Sequence, residues 1–324
     1  MIPELSTLLS PLSVSEFMSQ YRGNSYVYSR GTPSRYLSLF DSNDLECVLS
    51  RLVTLPGMFR AQRPEGVIPI DQITVPTGTA NRRLVNAQAL QEQLEKGATL
   101  TLENCESHFQ GLYAMSSMLA KAFAARVYAS LFVVYKPELP LGLHWDDRDQ
   151  FICQIVGHKQ WPVYKPVYPN PLFDSRRFSY KVPPSDLVEE ITLGPGDALY
   201  LPRGWLHDPA AVEGPSVHIA FAIITPTAYD LLEWIRSELK TRYPEIRADL
   251  PLSLPASARA TYAARLRELI MNSLTDESIE AHYERHTREI QPTRVSLRPF
   301  SAGNSATLQH CGANHTIVPG RESA

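Results

Sequence analysis

The stretch LGLHWDDRDQFICQIVGHKQWPVYKP, residues 141–166, sets His144 and Asp146 two apart inside a run otherwise suited to a buried sheet. In an extended strand alternate side chains share a face, so the imidazole and the carboxylate converge while Trp145 turns away. Two donors aimed at one point suit a metal ion. A third donor lies in GPGDALYLPRGWLHDPA, where a Gly-Asp turn, a strand and a tight Pro-Arg-Gly turn lead to His207. In a jelly-roll barrel such a strand-turn-strand unit can carry His207 to the mouth that holds His144 and Asp146. Two imidazoles and one carboxylate on one face of Fe(II) leave coordination positions open for a chelating 2-oxo acid and for dioxygen.

Other residues compete for these roles. His282 and Glu284, in AHYERHTREI, repeat the His-x-acid spacing, but a helical pattern points them apart and the surroundings are charged, so they read as a solvated helix face. His282 and His286 stand four apart, a spacing that could take a stray metal. His218 is the rival third ligand: in SVHIAFAII it shares a strand face with the small residues Ser216, Ala220 and Ala222, opposite Val217, Ile219, Phe221 and Ile223. That face favours a pocket-lining role or a satisfied core histidine over ligation. A dicarboxylate cosubstrate also needs a cation, and Lys159, just past the turn IVGH, would share a strand face with Trp161; the alternative is an exposed turn lysine. Tyr135, before the metal pair, could offer its hydroxyl to the same carboxylate, or pack in the core.

The elements that must position these groups are mainly β. Residues 126–225 consist of short β-branched and aromatic runs broken by Pro and Gly, an antiparallel sheet region rather than an alternation of strands and helices. The Pro-rich connection VYPNPLFDSRRFSYKVPPSD is long enough to suggest a functional loop. Before the sheet region, helices are expected in SVSEFMSQYRG, SNDLECVLSRL, NAQALQEQLEKG and FQGLYAMSSMLAKAF, with strands in SYVYSRG and ATLTL. After Thr225 three amphipathic or charged helices follow, and from Gln291 the chain is polar and irregular. Three parts are therefore expected: 1–227, a catalytic domain; 228–290, a helical region for dimerisation; and 291–324, an irregular tail.

Composition narrows the function. With 324 residues and 44% hydrophobic residues the chain can bury a sizeable core. A net charge of −3 and a pI near 6.3 argue against a nucleic-acid partner. No apolar run reaches membrane-spanning length and MIPELSTLLSPLS lacks a basic signal segment, so a cytoplasmic protein is expected. The four scattered cysteines form no C-x-x-C pair and read as reduced thiols.

Together these residues resemble the JmjC-type 2-oxoglutarate oxygenases, most closely their ribosomal-oxygenase branch. HWDDRDQFICQIVGHKQW resembles that branch's metal-pair strand, hairpin and cosubstrate-binding basic residue, and GDALYLPRGWLH its second metal motif. SVSEFMSQYRGNSYVYSRGTPSRYLSLFDSNDLECVLSRL and GATLTLENCESHF are similar to its N-terminal segments. The resemblance covers roughly residues 12–225. It implies a double-stranded β-helix (jelly-roll or cupin) core with N-terminal α/β elements and C-terminal helices, holding Fe(II) on His144, Asp146 and His207 rather than His218. It also implies 2-oxoglutarate anchored on Lys159, dioxygen as co-reactant, hydroxylation of a protein or peptide side chain, with ribosomal proteins the branch's substrates, and a homodimer built by the C-terminal helices. The branch's winged-helix domain has no counterpart in the short polar tail, and the loop before His144 is shorter than usual. Those departures leave two alternatives: a hydroxylase of a peptide natural product or small metabolite, and a metal-binding cupin without oxygenase activity.

Overall fold

The computed structural model describes residues 4–39, 42–51, 53–54, 59–78, 82–137, 142–172 and 186–290. The N-terminal part begins with helices α1 (Leu5–Leu9) and α2 (Val14–Glu16), the latter capped by Ser13, whose hydroxyl accepts the Glu16 amide at 3.2 Å. A π-helical turn, Phe17–Tyr21, leads to strand β1 (Val27–Ser29) and helix α3 (Ser42–Arg51). The stretch that follows shows no clear periodicity, yet it forms β2 (Val53–Thr54), β3 (Phe59–Arg63), β4 (Gly66–Val67), β5 (Thr74–Pro76) and β6 (Arg83–Val85). Helix α4 (Ala87–Glu95), capped by Asn86, then β7 (Thr99–Leu102) and helix α5 (Gln110–Phe123) complete this part.

The expected sheet region supplies β8 (Arg126–Val134), β9 (Asp149–Val156), β10 (Lys159–Tyr164), β11 (Leu187–Leu193), β12 (Ala198–Leu201), β13 (Leu206–His207), β14 (Ala210–Ala211) and β15 (Ser216–Ile224). One sheet runs β1-β12-β9-β15-β8-β7-β3-β4; a second runs β11-β10-β13, with β14 also on β10; β2, β6 and β5 form a third. The pairings are antiparallel, as expected.

Strand alternation separates two jobs. On β8 and β15, Ala129, Leu131, Val133, Ile219, Phe221 and Ile223 pack with Leu112, Met115, Leu119 and Phe123 of α5 in the main core. The opposite face of the large sheet meets the second sheet: Ile152, Leu199, Leu201 and Ala220 pack against Trp161, Val163, Ile191 and Leu193. Two antiparallel sheets thus close face to face, the jelly-roll core with flanking helices.

Thr227 caps helix α6 (Ala228–Arg242) in a capping box with Asp230, at the residue where the expected catalytic part ends. Helices α7 (Ala256–Ser273) and α8 (Asp276–Ile290) follow, and Ile235, Leu239 and Leu269 form a small core of their own. Residues 1–291 nevertheless make one compact unit, and α8 touches the barrel domain where His286 Nε2 lies 3.2 Å from the Ala124 carbonyl. The expected solvated face of α8 needs correcting: the His282 ring packs at 5.4 Å from Trp234. The tail expected over 291–324, and most of the Pro-rich connection, lie outside the described residues. No helix among the described residues is long and apolar enough to cross a membrane.

Candidate metal centre

His144 and His207 meet as an isolated antiparallel bridge. The His144 amide donates to the His207 carbonyl at 3.1 Å, and the His207 amide returns to the His144 carbonyl at 2.8 Å. Two further bonds bind the segments: the Gly204 amide donates to the Asp146 carbonyl at 2.9 Å, and the Gly142 amide to Asp208 Oδ1 at 3.2 Å. Gly204 has φ +84°, and a Cβ there would stand 2.8 Å from the Tyr168 carbonyl oxygen, so this turn calls for glycine. The tight turn before His207 thereby delivers the third donor to the pair.

The side chains converge. One ligand atom from each of His144, Asp146 and His207 lies within 4.8 Å of the other two. His144 Nδ1 stands 2.8 Å from the Gly142 carbonyl, and His207 Nδ1 stands 3.0 Å from the Trp205 carbonyl. A carbonyl only accepts, so each Nδ1 is a donor and Nε2 is the nitrogen left to face a metal. His207 Nε2 then faces Asp146 Oδ2 at 3.4 Å. The donor set of two imidazoles and a carboxylate fits a ferrous ion. Gln150 Nε2 donates to Asp146 Oδ2 and orients the carboxylate, as a group behind a metal ligand should.

A cavity of about 1060 Å³ opens beside this trio. Lys159 lines it and is only 3% exposed, so it is no turn lysine at the surface. Trp161 lines the cavity two residues on, the shared strand face expected from the sequence. His218 lines it too, stacked on Phe132 with ring centroids 4.6 Å apart, and its small-residue face, with Ala220 and Ala222, is the cavity wall. Burial pushes the His218 imidazole well below its usual pKa, and the Lys159 charge pushes the same way, so the ring is neutral. His218 is not among the converging ligand atoms of the trio.

Tyr135 is not brought to the site. It follows the last residue of β8, is exposed, and does not line the cavity. Even-numbered residues of β8, Tyr128, Ser130 and Phe132, face the cavity, whereas Ala129, Leu131 and Val133 face the helical core. Odd parity directs position 135 away from the cavity wall.

Several cavity residues escaped the sequence reading. Arg60 and Gln62 come from β3, Thr99 from β7, Tyr128 and Ser130 from β8, and Glu103, Asn104 and Arg148 from adjoining loops. The signal was present as polar residues at alternate positions, as in Arg60 and Gln62, but β3 itself lacked a recognisable pattern. These groups form a polar arm across the sheet from Lys159. Glu103 pairs with Arg60 at 3.2 Å and accepts from Ser130 Oγ at 2.5 Å, while Arg148 pairs with Asp147 at 2.7 Å.

Residues 106–231 match the model of the JmjC domain family. A Culex quinquefasciatus protein described as bifunctional lysine-specific demethylase and histidyl-hydroxylase NO66 is 22% identical over 335 residues, covering 95% of this chain and 49% of its own length. The Brugia malayi protein of the same description is 29% identical over 178 residues, covering 53% of this chain and 25% of its own. The chain thus spans about half the length, or less, of these curated relatives. Among solved structures, Escherichia coli ycfD superposes with TM-score 0.59 at 15% identity, over 86% of this chain and 71% of that one. YcfD described as a ribosomal oxygenase in complex with cobalt and 2-oxoglutarate gives TM-score 0.57 with the same identity and coverage. At that identity the likeness carries the fold.

Proposed function

We propose, on the premise that residues 106–231 are a JmjC domain of the ribosomal-oxygenase type, that the protein is an Fe(II)- and 2-oxoglutarate-dependent hydroxylase of a protein or peptide side chain. The observation that carries this reading is the convergence of His144, Asp146 and His207 beside a cavity containing a buried lysine. His144 and His207 would hold the metal through Nε2 and Asp146 through its carboxylate, and the backbone bonds of both Nδ1 atoms fix the rings for that task. Lys159 anchors the far carboxylate of 2-oxoglutarate, and His218 stands beside it as a neutral wall residue. Fe(II) held by these three residues would, with 2-oxoglutarate, supply the oxidising chemistry that hydroxylates a substrate C–H bond. Tyr128, Ser130, Glu103 and Arg148 line the polar arm, which receives the substrate side chain and holds its reacting carbon close to the metal.

The relatives' printed descriptions, a histidyl-hydroxylase and a ribosomal oxygenase, support a protein substrate and make ribosomal proteins the first class to screen. Net charge −3 speaks against a nucleic-acid substrate. The free thiols of Cys105 and Cys153, both buried, suit the reducing cytoplasm. A second copy of the chain is the partner we assign to the C-terminal helices, where Leu232, Ile270, Met271 and Leu274 are exposed; light scattering should give twice the 36.4 kDa chain mass.

Purified protein, Fe(II), labelled 2-oxoglutarate and ribosomal-protein peptides test the reaction by mass spectrometry. The expected result is succinate release coupled to a gain of one oxygen on a peptide. No succinate with any peptide or extract fraction overturns the proposal.

A further inference from the structure

One carboxylate of the polar arm lines the cavity and is only loosely matched. Glu103 follows the last residue of β7, and the register that sets Leu102 opposite Leu131 puts it opposite Ser130 on the cavity face. From the sheet floor, Ser130 Oγ donates to Glu103 Oε2. Glu103 Oε1 meets Arg60 through one guanidinium nitrogen at 3.2 Å, and the Arg60 side chain is 42% exposed. Such a single-ended, solvent-facing pair is weak beside the two parallel bonds that a guanidinium can make to a carboxylate. A carboxylate has about four acceptor sites, so Glu103 keeps capacity for another donor.

Between this carboxylate and the metal ligands the floor is low. Strand β15 sets Ala220 opposite Ser130, and Ala222 between Tyr128 and Gln150, whose amide holds Asp146. Both alanines line the cavity, so space runs from Asp146 along the sheet to Glu103. Arg148, the other guanidinium of the arm, is committed to Asp147 at 2.7 Å. The charges of Glu103 and Asp147 cancel those of Arg60 and Arg148. An incoming cation therefore keeps the balance by releasing Arg60 to solvent, one partner of Glu103 replacing another.

We propose that Glu103 determines substrate specificity: its carboxylate pairs with the cationic side chain of an arginine or lysine, which takes the place of Arg60 and is thereby held beside the metal site. This rests on the hydroxylase reading above and names the substrate side chain for it. Arginine and lysine stay charged at neutral pH, whereas histidine is largely neutral there, so a fixed carboxylate selects the two long cations. Arg60 is the resting occupant of the subsite.

The test first locates the target. Ribosomal proteins and extract fractions are treated with the wild-type protein, Fe(II) and labelled 2-oxoglutarate, and mass spectrometry should find the added oxygen on an arginine or lysine. A synthetic peptide spanning that residue is then titrated calorimetrically into Zn(II)-loaded protein with 2-oxoglutarate, where no turnover intervenes. Glu103→Gln keeps the shape and removes the charge. Its peptide affinity should fall roughly 10- to 100-fold, the range for a charged hydrogen bond, with 2-oxoglutarate affinity unchanged. Arg60→Gln frees the carboxylate and should tighten peptide binding by up to about 5-fold, the strength of an exposed ion pair. A peptide with citrulline for the arginine, or norleucine for the lysine, should bind the wild type as weakly as the parent peptide binds Glu103→Gln, and lose nothing further in that variant. If Glu103→Gln does not fold, Arg60→Gln and the neutral peptide on the wild type decide. An acidic, apolar or histidine target overturns this inference and leaves the hydroxylase reading standing. So does full peptide affinity in Glu103→Gln, full affinity of the neutral peptide for the wild type, or Arg60→Gln that binds peptide no more tightly than the wild type. No succinate and no oxidised residue in any fraction overturns the hydroxylase reading, and this inference with it.

Discussion

The Asp149 carboxylate accepts a hydrogen bond from the Arg203 backbone amide at 2.9 Å. Its other oxygen accepts from the Tyr200 hydroxyl at 2.6 Å, and that hydroxyl accepts the Gly23 amide at 2.9 Å. Asp149 begins β9, just after Asp146, and Arg203 sits in the turn that leads to His207. One carboxylate therefore locks the spacing between the metal pair and the third ligand without touching the metal.

Asp149→Ala should consequently act like loss of an outer support of a metal site. Metal affinity should fall roughly 10- to 100-fold, the usual cost of removing such a partner. Asp149→Asn retains one accepting oxygen and should lose less. Calorimetric titration with Fe(II) or Co(II), alongside circular dichroism to confirm the fold, checks both; unchanged affinity in the alanine variant refutes the positioning role.

The two buried histidines should separate cleanly. His207→Ala removes one of three ligands and should abolish turnover and weaken metal binding at least about 10-fold. His218→Ala should leave metal affinity near that of the wild type, since its ring stacks on Phe132 and does not join the ligand cluster. The reverse pattern would make His218 the third ligand.

Lys159 gives a third test. Lys159→Ala should raise the KM for 2-oxoglutarate about 10- to 100-fold while metal affinity stays unchanged, because a charge-assisted contact to a carboxylate is lost. Lys159→Arg should recover part of that loss. Steady-state turnover against cosubstrate concentration decides, and an unaltered KM in the alanine variant would mean that the anchor lies elsewhere.

What could be read from sequence depended on whether a residue's neighbours set its direction. The two-residue spacing of His144 and Asp146 marked a converging pair, although the expected strand is absent there: His144 makes only an isolated bridge and β9 begins at Asp149. His218 was legible because its strand alternates small and large side chains along β15. Tyr135 failed at the end of a strand: the parity of β8, set by Ala129, Leu131 and Val133 in the core, points position 135 away from the cavity. The polar arm was hidden for a different reason. Arg60 and Gln62 reach it only because β3 pairs with β7, and β7 with β8, at the sheet's far edge. Such long-range pairing leaves little trace in a five-residue strand. His282 was misread because a helix that looks fully charged in sequence still packs one ring against Trp234.

Buried His218 also predicts how stability follows pH. Burial, and then the Lys159 charge, lower its folded pKa well below the ordinary 6.5. Above pH 6.5 the ring is neutral in both folded and unfolded chains, so its contribution to stability is fully present there. Below that pH the unfolded chain takes up a proton that the folded chain refuses, and stability falls by up to about 1.4 kcal/mol per pH unit until the folded pKa is reached. Urea unfolding of the metal-free protein between about pH 7.5 and pH 5 should show this slope, with a shallower one in His218→Gln, which cannot titrate. Parallel pH profiles for the two proteins would mean that His218 is protonated equally in both states, and the neutral wall residue beside Lys159 would have to be abandoned.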